Sequence, residues 1–586
     1  MNIKQEISLV LNKALKKAGY TASGNLVSFS SRPEIADYQS NICFAISKEY
    51  KESPNVVAQN IISKIDSPDY QFSFCAPGFI NITLTATKLS SIANSLVKDE
   101  NLGVEKTKNP KLILLDYGGA NVAKELHMGH LRSPIIGQAL NNLYKLFGHK
   151  TISDTHLGDW GLQMGLTIAQ MEEDGFLDFY FKGTGKEPQI TMEMLNVEYP
   201  KASLRKKTDE AFRVKADNYT LLLQQKKEPY FSVWQKMREI SVKTIEKNYN
   251  NLNIKFDIWG GESSVSGLIT ETINIFKDKG LARESEGALV VDVAKEGENI
   301  PIPKENPFDV QRYRNPMPPA IIQKYNGGEL YMTTDLATIV LRNRQFNPDE
   351  IVYVTDNRQT EHFIKLFRCA KMAGISPENQ KLTHVAFGTM NGRDGKPFKT
   401  RSGETIKLED VINLIKEKAQ EKLTANGLGT NEELAREIGV GALKFGDLSN
   451  DVARDYVLDI DKFASFEGKT GPYLQYTCAR INSLLSKANE KGGKIIIENK
   501  EEREIIINLL KLVDSFTLAL ENLSLGPICT AVFNLAQSFS AFYNNVKVLS
   551  EKDDVKRTSY LSLAFLVRKA ISLALVILAI DTPEKM

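Results

Sequence analysis

His127 and His130 stand in the stretch 112–133, LILLDYGGANVAKELHMGHLRS, with Gly118 and Gly119 upstream and Lys124 just before them. Imidazole N–H groups and a lysine ammonium donate hydrogen bonds to phosphate oxygens, and glycines let a backbone approach a bulky anion. His149 and His156 follow closely, so four of the six histidines fall in one segment. A His-x-x-His pair also suits zinc, with His156 or Asp159 as a third ligand. The five cysteines (Cys43, Cys75, Cys369, Cys478, Cys529) are scattered without a Cys-x-x-Cys, which lends zinc no support. A single histidine of the set reads equally well as a satisfied core residue, but four clustered together do not.

The elements that must hold these groups are legible around them. Leu112–Leu115 is an apolar run bounded by Pro110 and the two glycines, as in a buried strand. Leu131, Ile135, Ala139, Leu140 and Leu143 recur at helical spacing, and 149–153 supplies a second strand. Strand, helix and strand in so short a span predict a parallel βαβ unit, with ligands outside the carboxyl ends of its strands. A helix N-terminus in that crevice adds free N–H donors and a positive dipole.

The run from Asn121 through Ala123-Lys124 and His127-Met128-Gly129-His130 to Leu131-Arg132-Ser133 resembles the HIGH element of class I aminoacyl-tRNA synthetases, in the extended form of the arginyl-tRNA synthetases. His156-x-Gly158-Asp159-Trp160-Gly161-x-Gln163 is similar to the next block of that family. Leu330-Tyr331 to Asp335-Leu336-Ala337 and the strand-like Tyr353-Val354 leading to Gln359 resemble later blocks, and Phe256–Ser263 resembles a family motif at a return to the sheet. Residues 388–407 form a glycine-rich basic loop in which Lys396-Pro397-Phe398-Lys399-Thr400 sits where class I enzymes carry KMSKS. This departs from the standard motif in a way familiar among bacterial arginyl enzymes.

The resemblance implies ATP-dependent charging of tRNA(Arg) with L-arginine, through an arginyl-adenylate. It implies His127, His130, Lys399 and Lys396 as catalytic groups, Lys399 foremost, with Lys124 and Gly129 joining them around ATP. Asp116 and Asp335 match the guanidinium partners, Tyr331 lies beside them, and Asn121 and Gln359 orient the α-amino and carboxylate ends. A buried guanidinium requires paired carboxylates, and lysine lacks the planar fork to satisfy two of them. Mg²⁺ is expected to arrive with ATP, with no structural metal. The family also implies a monomer, and arginine activation only with tRNA bound.

Residues 1–105 read as a small α+β domain, with amphipathic helices around Ile7–Leu15 and Asn55–Ile65 and an alternating strand Ile80–Leu84. Physics alone assigns it packing roles, whereas the family grips the tRNA elbow there, through a motif resembling Gly78-Phe79-Ile80-Asn81. Phe79 would stack on a splayed base and Asn81 bond its edge. Residues 106–415 form the Rossmann-like parallel-sheet domain, with a charged helical insertion at about 170–265 and a proline-rich passage, 300–319, that reads as an insertion loop. The insertion's basic clusters, Leu204–Lys207 and Gln225–Lys227, read as solvated helix faces before phosphate contacts. Residues 416–586 form an all-α bundle in which Gly468–Arg480 resembles the opening of the anticodon-binding domain. Tyr476, Tyr543 and Met586 match positions that face the anticodon there, although helical tyrosines are more often core.

Bulk composition is ordinary for a soluble globular protein: 42% hydrophobic, 25% charged, net charge +2 over 586 residues. Nucleic-acid contacts must come from local patches. Unpatterned cysteines suit a reducing compartment, the charged N-terminus is no signal peptide, and Ala570–Ile580 reads as a buried core helix too short to span a bilayer. The expected location is cytoplasmic, without a membrane partner. Two other classes keep part of the pattern: a ligase that adenylylates another substrate needs no C-terminal bundle, and a non-catalytic RNA-binding paralogue needs neither histidines nor Lys399.

Overall fold

The computed structural model describes residues 2–21, 24, 26–302, 312–314, 316–324, 330–392, 406–425, 427–488 and 490–586. Lys396 and Lys399 lie outside the described residues.

The architecture rests on a four-stranded parallel sheet of β1 (Leu112–Asp116), β2 (Lys150–Asp154), β3 (Glu350–Asp356) and β4 (Lys381–Phe387), in the order β4-β3-β1-β2. β1 and β3 are almost wholly buried, which explains why both read as continuous apolar runs rather than alternating ones. The helix Arg132–Leu146 makes the crossover from β1 to β2. The chain then leaves for the helical insertion, whose longest member is Tyr230–Asn251, and returns on the other side of β1 as β3. The order therefore reverses between β1 and β3, and their carboxyl ends open the crevice where α/β sheets bind ligands. The expected return near Phe256 is a pair of isolated bridges, Asp154 with Ile258 and Leu157 with Gly261, beyond the end of β2.

The proline-rich passage differs from the loop expected of it. Ile300–Ile302 and Arg312–Arg314 pair as an antiparallel ribbon, and Ala320–Gln323 joins a separate antiparallel sheet with Ala288–Val291 and Ala282–Ser285. Pro301 is tolerated because a two-stranded ribbon leaves edges free of ladder bonds.

The N-terminal unit is a four-stranded antiparallel sheet, ordered Ser28–Phe29, Tyr38–Ser40, Phe79–Leu84, Tyr70–Cys75, with helices including Ile3–Lys17 and Pro54–Ile62. Ile80, Ile82 and Leu84 face its core, as their alternation predicts. It docks on the helix Lys500–Asn522 through the partly buried pair Arg503–Asp37 and a Lys4–Asp514 contact of 2.8 Å.

The C-terminal unit is mainly helical from Leu408 onward, with Glu432–Leu448, Gly471–Ala488, Lys500–Asn522, Gly526–Asn545 and Asp554–Ile577 as its main members. It departs from the expected all-α bundle in one two-residue strand, Tyr456–Val457, paired with Met390–Asn391. Asp554–Ile577 is 24 residues long and apolar enough to cross a membrane by length and composition. Here its most apolar window is 61% buried inside the protein, through Leu563, Leu566, Val567 and Ile571 among others. Lys444, fully buried on Glu432–Leu448, donates to the Ala579 carbonyl at 2.5 Å. Burial pulls its ammonium down to about 7.

Candidate active site

The turn carrying the two histidines is held by the histidines themselves. His127 Nδ1 accepts from the Gly129 N–H at 3.1 Å, and His130 Nδ1 accepts from the His127 N–H at 3.1 Å. Their rings lie 3.9 Å apart at 40°. An imidazole whose Nδ1 accepts a backbone N–H must, when neutral, carry its proton on Nε2. Burial lowers His127 to about 4, helped by Lys124, and lowers His130 to about 3, helped by His127 and Lys124. Both are therefore neutral Nε2–H donors at pH 7. A Cβ at Gly129 would sit 2.9 Å from the His127 ring and push it out of this arrangement.

The glycine loop between β1 and this turn is fixed from several sides. The Gly118 N–H donates to Ser133 Oγ at 2.8 Å, and Ser133 Oγ donates to the Val354 carbonyl at 2.7 Å. Tyr249 donates to the Gly118 carbonyl at 2.6 Å. Gly118 has φ +72°, and a Cβ there would meet the Phe256 ring at 2.8 Å. The loop's path thus needs a glycine on conformational and steric grounds alike.

A row of side chains crosses the carboxyl ends of the sheet: Asp154, Asp116, Tyr353 and His384 are successive cross-strand neighbours. Over this row lies Arg342, from the helix Tyr331–Gln345, which donates to Asp116 Oδ2 and to Asp154 Oδ2 at 2.6 Å each. Its guanidinium carbon stands 5.6 Å from the Tyr353 ring centroid. Burial raises the Asp116 carboxyl; Arg342 opposes the rise and Asp154 adds to it. Two carboxyls against one guanidinium leave this cluster one negative charge in excess when both are ionised. Asp154 Oδ1, Arg342 Nη1, His156 Nε2 and Tyr353 Oη are buried with no hydrogen-bond partner among the described residues. Buried polar atoms are ordinarily satisfied, so this is unused hydrogen-bonding capacity beside Asp116.

The other expected ligands surround the same crevice. Asp335 sits two turns before Arg342 and contacts His362 Nε2 at 2.6 Å. Tyr331, 65% exposed at the start of that helix, lines a cavity of about 550 Å³ with Trp160, Gly161, Glu262 and Thr334. Gln359 is exposed in the turn after β3, and the backbone of Asn121 bridges to Gly158. Lys124 is half-buried beside the histidines.

Both approaches to the basic loop are tied to the histidine segment. On the entry side, Arg132 donates to the Gly388 carbonyl at 2.6 Å and to Asp447 at 2.9 Å, fully inside the protein. On the exit side, the Met128 N–H donates to Ile406 at 3.0 Å and the Leu408 N–H to Leu126 at 2.8 Å. Lys407 pairs with Glu125 at 2.6 Å.

Sequence reasoning did not find Arg342, His362 or Arg132 as parts of this site. Arg342 had a signal: it lies seven residues after Asp335, on the same helical face. His149 lies at the opposite end of β2, where its Nδ1 accepts from the Lys111 N–H at 3.2 Å. Asp159 is committed to Arg238 at 2.7 Å and to Ser263, so it is not free to complete a zinc site. Among the described residues no group of three or more His, Cys, Asp and Glu is placed to hold a metal.

The expected RNA contacts fall in two places. Phe79 and Asn81 share the outer face of the N-terminal sheet, with Asn81 only 4% exposed. Tyr476 is 43% exposed, and Arg480, one turn on, lies 4.0 Å from the Tyr543 ring centroid. Met586, in the same C-terminal unit, packs against Ala419, Leu423, Ala435 and Ile438. In the insertion, Arg205 of the basic cluster 204–207 is paired with Glu173 and Asp209, consistent with a solvated ion-paired face.

Comparison with known proteins agrees over the whole length. The family described as tRNA synthetases class I (R), catalytic domain, matches residues 91–460, the DALR anticodon binding domain matches 474–586, and the arginyl tRNA synthetase N terminal domain matches 1–84. Arginine–tRNA ligase of Agathobacter rectalis is 39% identical over 605 residues, covering 99% of each chain. That of Alkaliphilus oremlandii is 38% identical over 597 residues, again covering 99% of each. The crystal structure of arginyl-tRNA synthetase from Plasmodium falciparum superposes with a TM-score of 0.82 at 25% identity, covering 100% of this chain and 99% of that one. The Thermus thermophilus arginyl-tRNA synthetase shares the fold, with a TM-score of 0.79 at 20% identity over the full length of both. A class I parallel-sheet core between an arginyl-type N-terminal domain and a DALR helical domain, matched end to end, makes this chain a member of the arginyl-tRNA synthetase family.

Proposed function

We propose that this protein activates L-arginine with ATP and transfers it to the 3′ end of tRNA(Arg), releasing AMP and diphosphate. The observation that carries the reading is the pair of neutral Nε2–H histidines at the sheet's switch point, flanked by Lys124 and by both anchors of the basic loop. The arginine carboxylate attacks the α-phosphorus of ATP, and diphosphate leaves. No side chain need become covalent, so catalysis is positioning and stabilisation of phosphate charge. His127 and His130 donate to the phosphates, Lys124 adds charge, and Gly129 lets the nucleotide approach. Lys399, with Lys396, clamps the leaving diphosphate. Mg²⁺ enters bound to ATP.

The substrate guanidinium is taken by Asp116 and Asp335 with Tyr331 alongside, while Asn121 and Gln359 hold the amino and carboxylate ends. The excess negative charge around Asp116 supports this end of the site as the cation-binding one. Residues 1–105 grip the tRNA elbow through Phe79 and Asn81, 106–415 carry the chemistry, and 416–586 receive the anticodon near Tyr476, Tyr543 and Met586. The protein acts as a cytoplasmic monomer.

The test is arginine-dependent ATP–diphosphate exchange on purified protein, with and without tRNA(Arg), with lysine as control. Exchange with arginine and tRNA together, and not with lysine, is the expected result. Absence of exchange in a preparation that still binds tRNA overturns the catalytic reading. Asp335→Ala retaining normal arginine affinity overturns the guanidinium assignment.

A further inference from the structure

The outer face of the N-terminal sheet carries an arrangement that no local motif contains. Phe79 and Asn81 are two apart on Phe79–Leu84, so their side chains stand about 7 Å apart on one face. The Phe79 ring is half-exposed and meets Phe44 edge-to-face, with centroids 5.0 Å apart. Directly across from Asn81, on the strand Tyr38–Ser40, is Gln39. Gln39 Nε2 donates to Asn81 Oδ1 at 3.1 Å. An amide's oxygen and nitrogen diverge from its trigonal carbon, so they cannot both face one partner head-on. With the oxygen held by Gln39, the nitrogen of Asn81 is turned away from Gln39.

We propose that Gln39 is a specificity-determining residue for tRNA, fixing the Asn81 amide so that its N–H₂ faces the edge of a base stacked on Phe79. This rests on the reading of the face as the tRNA-elbow contact. A base lying on the ring reaches with its edge to about the next same-face position, which is Asn81. The strand neighbours of Asn81, Gln39 and Ser73, are uncharged, so what the face reads there is an unpaired base rather than a phosphate. With Asn81 presenting donors, the base must offer an acceptor there. Gln39 touches the base only through Asn81 in this scheme and acts as a positioning residue.

The decisive variant is Gln39→Glu. A carboxylate cannot donate to Asn81 Oδ1 but accepts from its nitrogen, so the amide turns over and presents oxygen to the base. Gln39→Leu removes the partner and leaves both amide orientations open. Aminoacylation kcat/KM is measured for tRNA(Arg) transcripts carrying A, C, G or U at the D-loop base whose replacement most raises KM. Ratios between transcripts cancel any uniform loss from the added charge. The wild type is expected to spread the four bases over about tenfold, the scale of one hydrogen bond to an unpaired base. Gln39→Glu reorders them, and Gln39→Leu compresses the spread to about twofold without reordering. Wild-type order and spread in both variants overturns the proposal. Phe79→Ala tests the elbow reading by itself: an unchanged KM for tRNA overturns that contact, whereas a raised KM beside unaltered base ranking overturns only the role of Gln39. A thermal midpoint within about 2 °C of wild type shows that the variants are folded.

Discussion

Arg342→Met removes the guanidinium that touches both Asp116 and Asp154 while keeping a flexible apolar stem of similar reach. In the intact protein each contact brings opposite charges to about 4 Å between charge centres, worth about 4 kcal/mol at an effective dielectric of 20. Desolvating a buried arginine offsets much of this, so losing one member of such a cluster costs about 3–5 kcal/mol. The loss is limited because a stranded carboxyl takes up a proton, at about 1.4 kcal/mol for each unit separating its pKa from the pH. Burial already raises Asp116, and without Arg342 the opposing influence is gone. A carboxyl whose folded pKa is raised binds its proton more firmly in the fold than in the unfolded chain. Its ionisation therefore destabilises the fold progressively as pH rises from the unfolded value, about 4, through the folded one. The deficit of Arg342→Met should accordingly be larger near pH 8 than near pH 5.5. All three tryptophans, Trp160, Trp234 and Trp259, lie in the catalytic unit and the helical insertion between its strands, so fluorescence during urea unfolding reports this region. Arg342→Met/Asp154→Asn should recover part of the loss, since it removes the second buried charge. An equal deficit at both pH values, or no recovery in the double variant, refutes the electrostatic account.

Four further outcomes follow from the geometry. His127→Ala should lower kcat for diphosphate exchange about 10²-fold, the scale of one preorganised donor to a developing anion, with a smaller change in KM for ATP. Because the folded values of His127 and His130 are lowered to about 4 and about 3, the unfolded chain binds more protons between there and about 6.5. Stability should therefore rise with pH across that window, and a double His→Asn variant should flatten the rise in a urea-midpoint series. Lys444, lowered to about 7, gives the same sense at higher pH: stability climbs from about 7 to about 10.5 and should not climb in Lys444→Met. Asp447→Asn leaves Arg132 buried without its charged partner and should destabilise the protein by about 3 kcal/mol, read as a lowered urea midpoint.

The strands and the histidine turn were legible because their causes are local. β1 reads from its apolar run, and the turn from glycines and histidines within a dozen residues. The N-terminal and C-terminal units followed from periodicity of two and of 3.6. What stayed hidden depends on contacts between distant segments. Arg342 meets Asp116 across 226 residues and Arg132 meets Asp447 across 315. Nothing in the sequence near Asn81 points to Gln39, because antiparallel pairing sets that register. In the passage 300–319, Pro301 hides a short strand that an edge ribbon can accommodate.

The basic loop's anchors bear on how a loop held in this way can change over evolutionary time. Its entry is fixed by Arg132 at Gly388 and its exit by the pairing of 406–408 with 126–128, so its ends are set by residues outside it. Where the ends are already fixed, doubling the length of the intervening chain costs only about 0.6 kcal/mol of closure entropy. Selection on the stretch between therefore acts on which side chains it carries far more than on its length or order. The lysine pattern at 396–400 resembles KMSKS without matching it, the kind of difference that fixed docking points on either side tolerate.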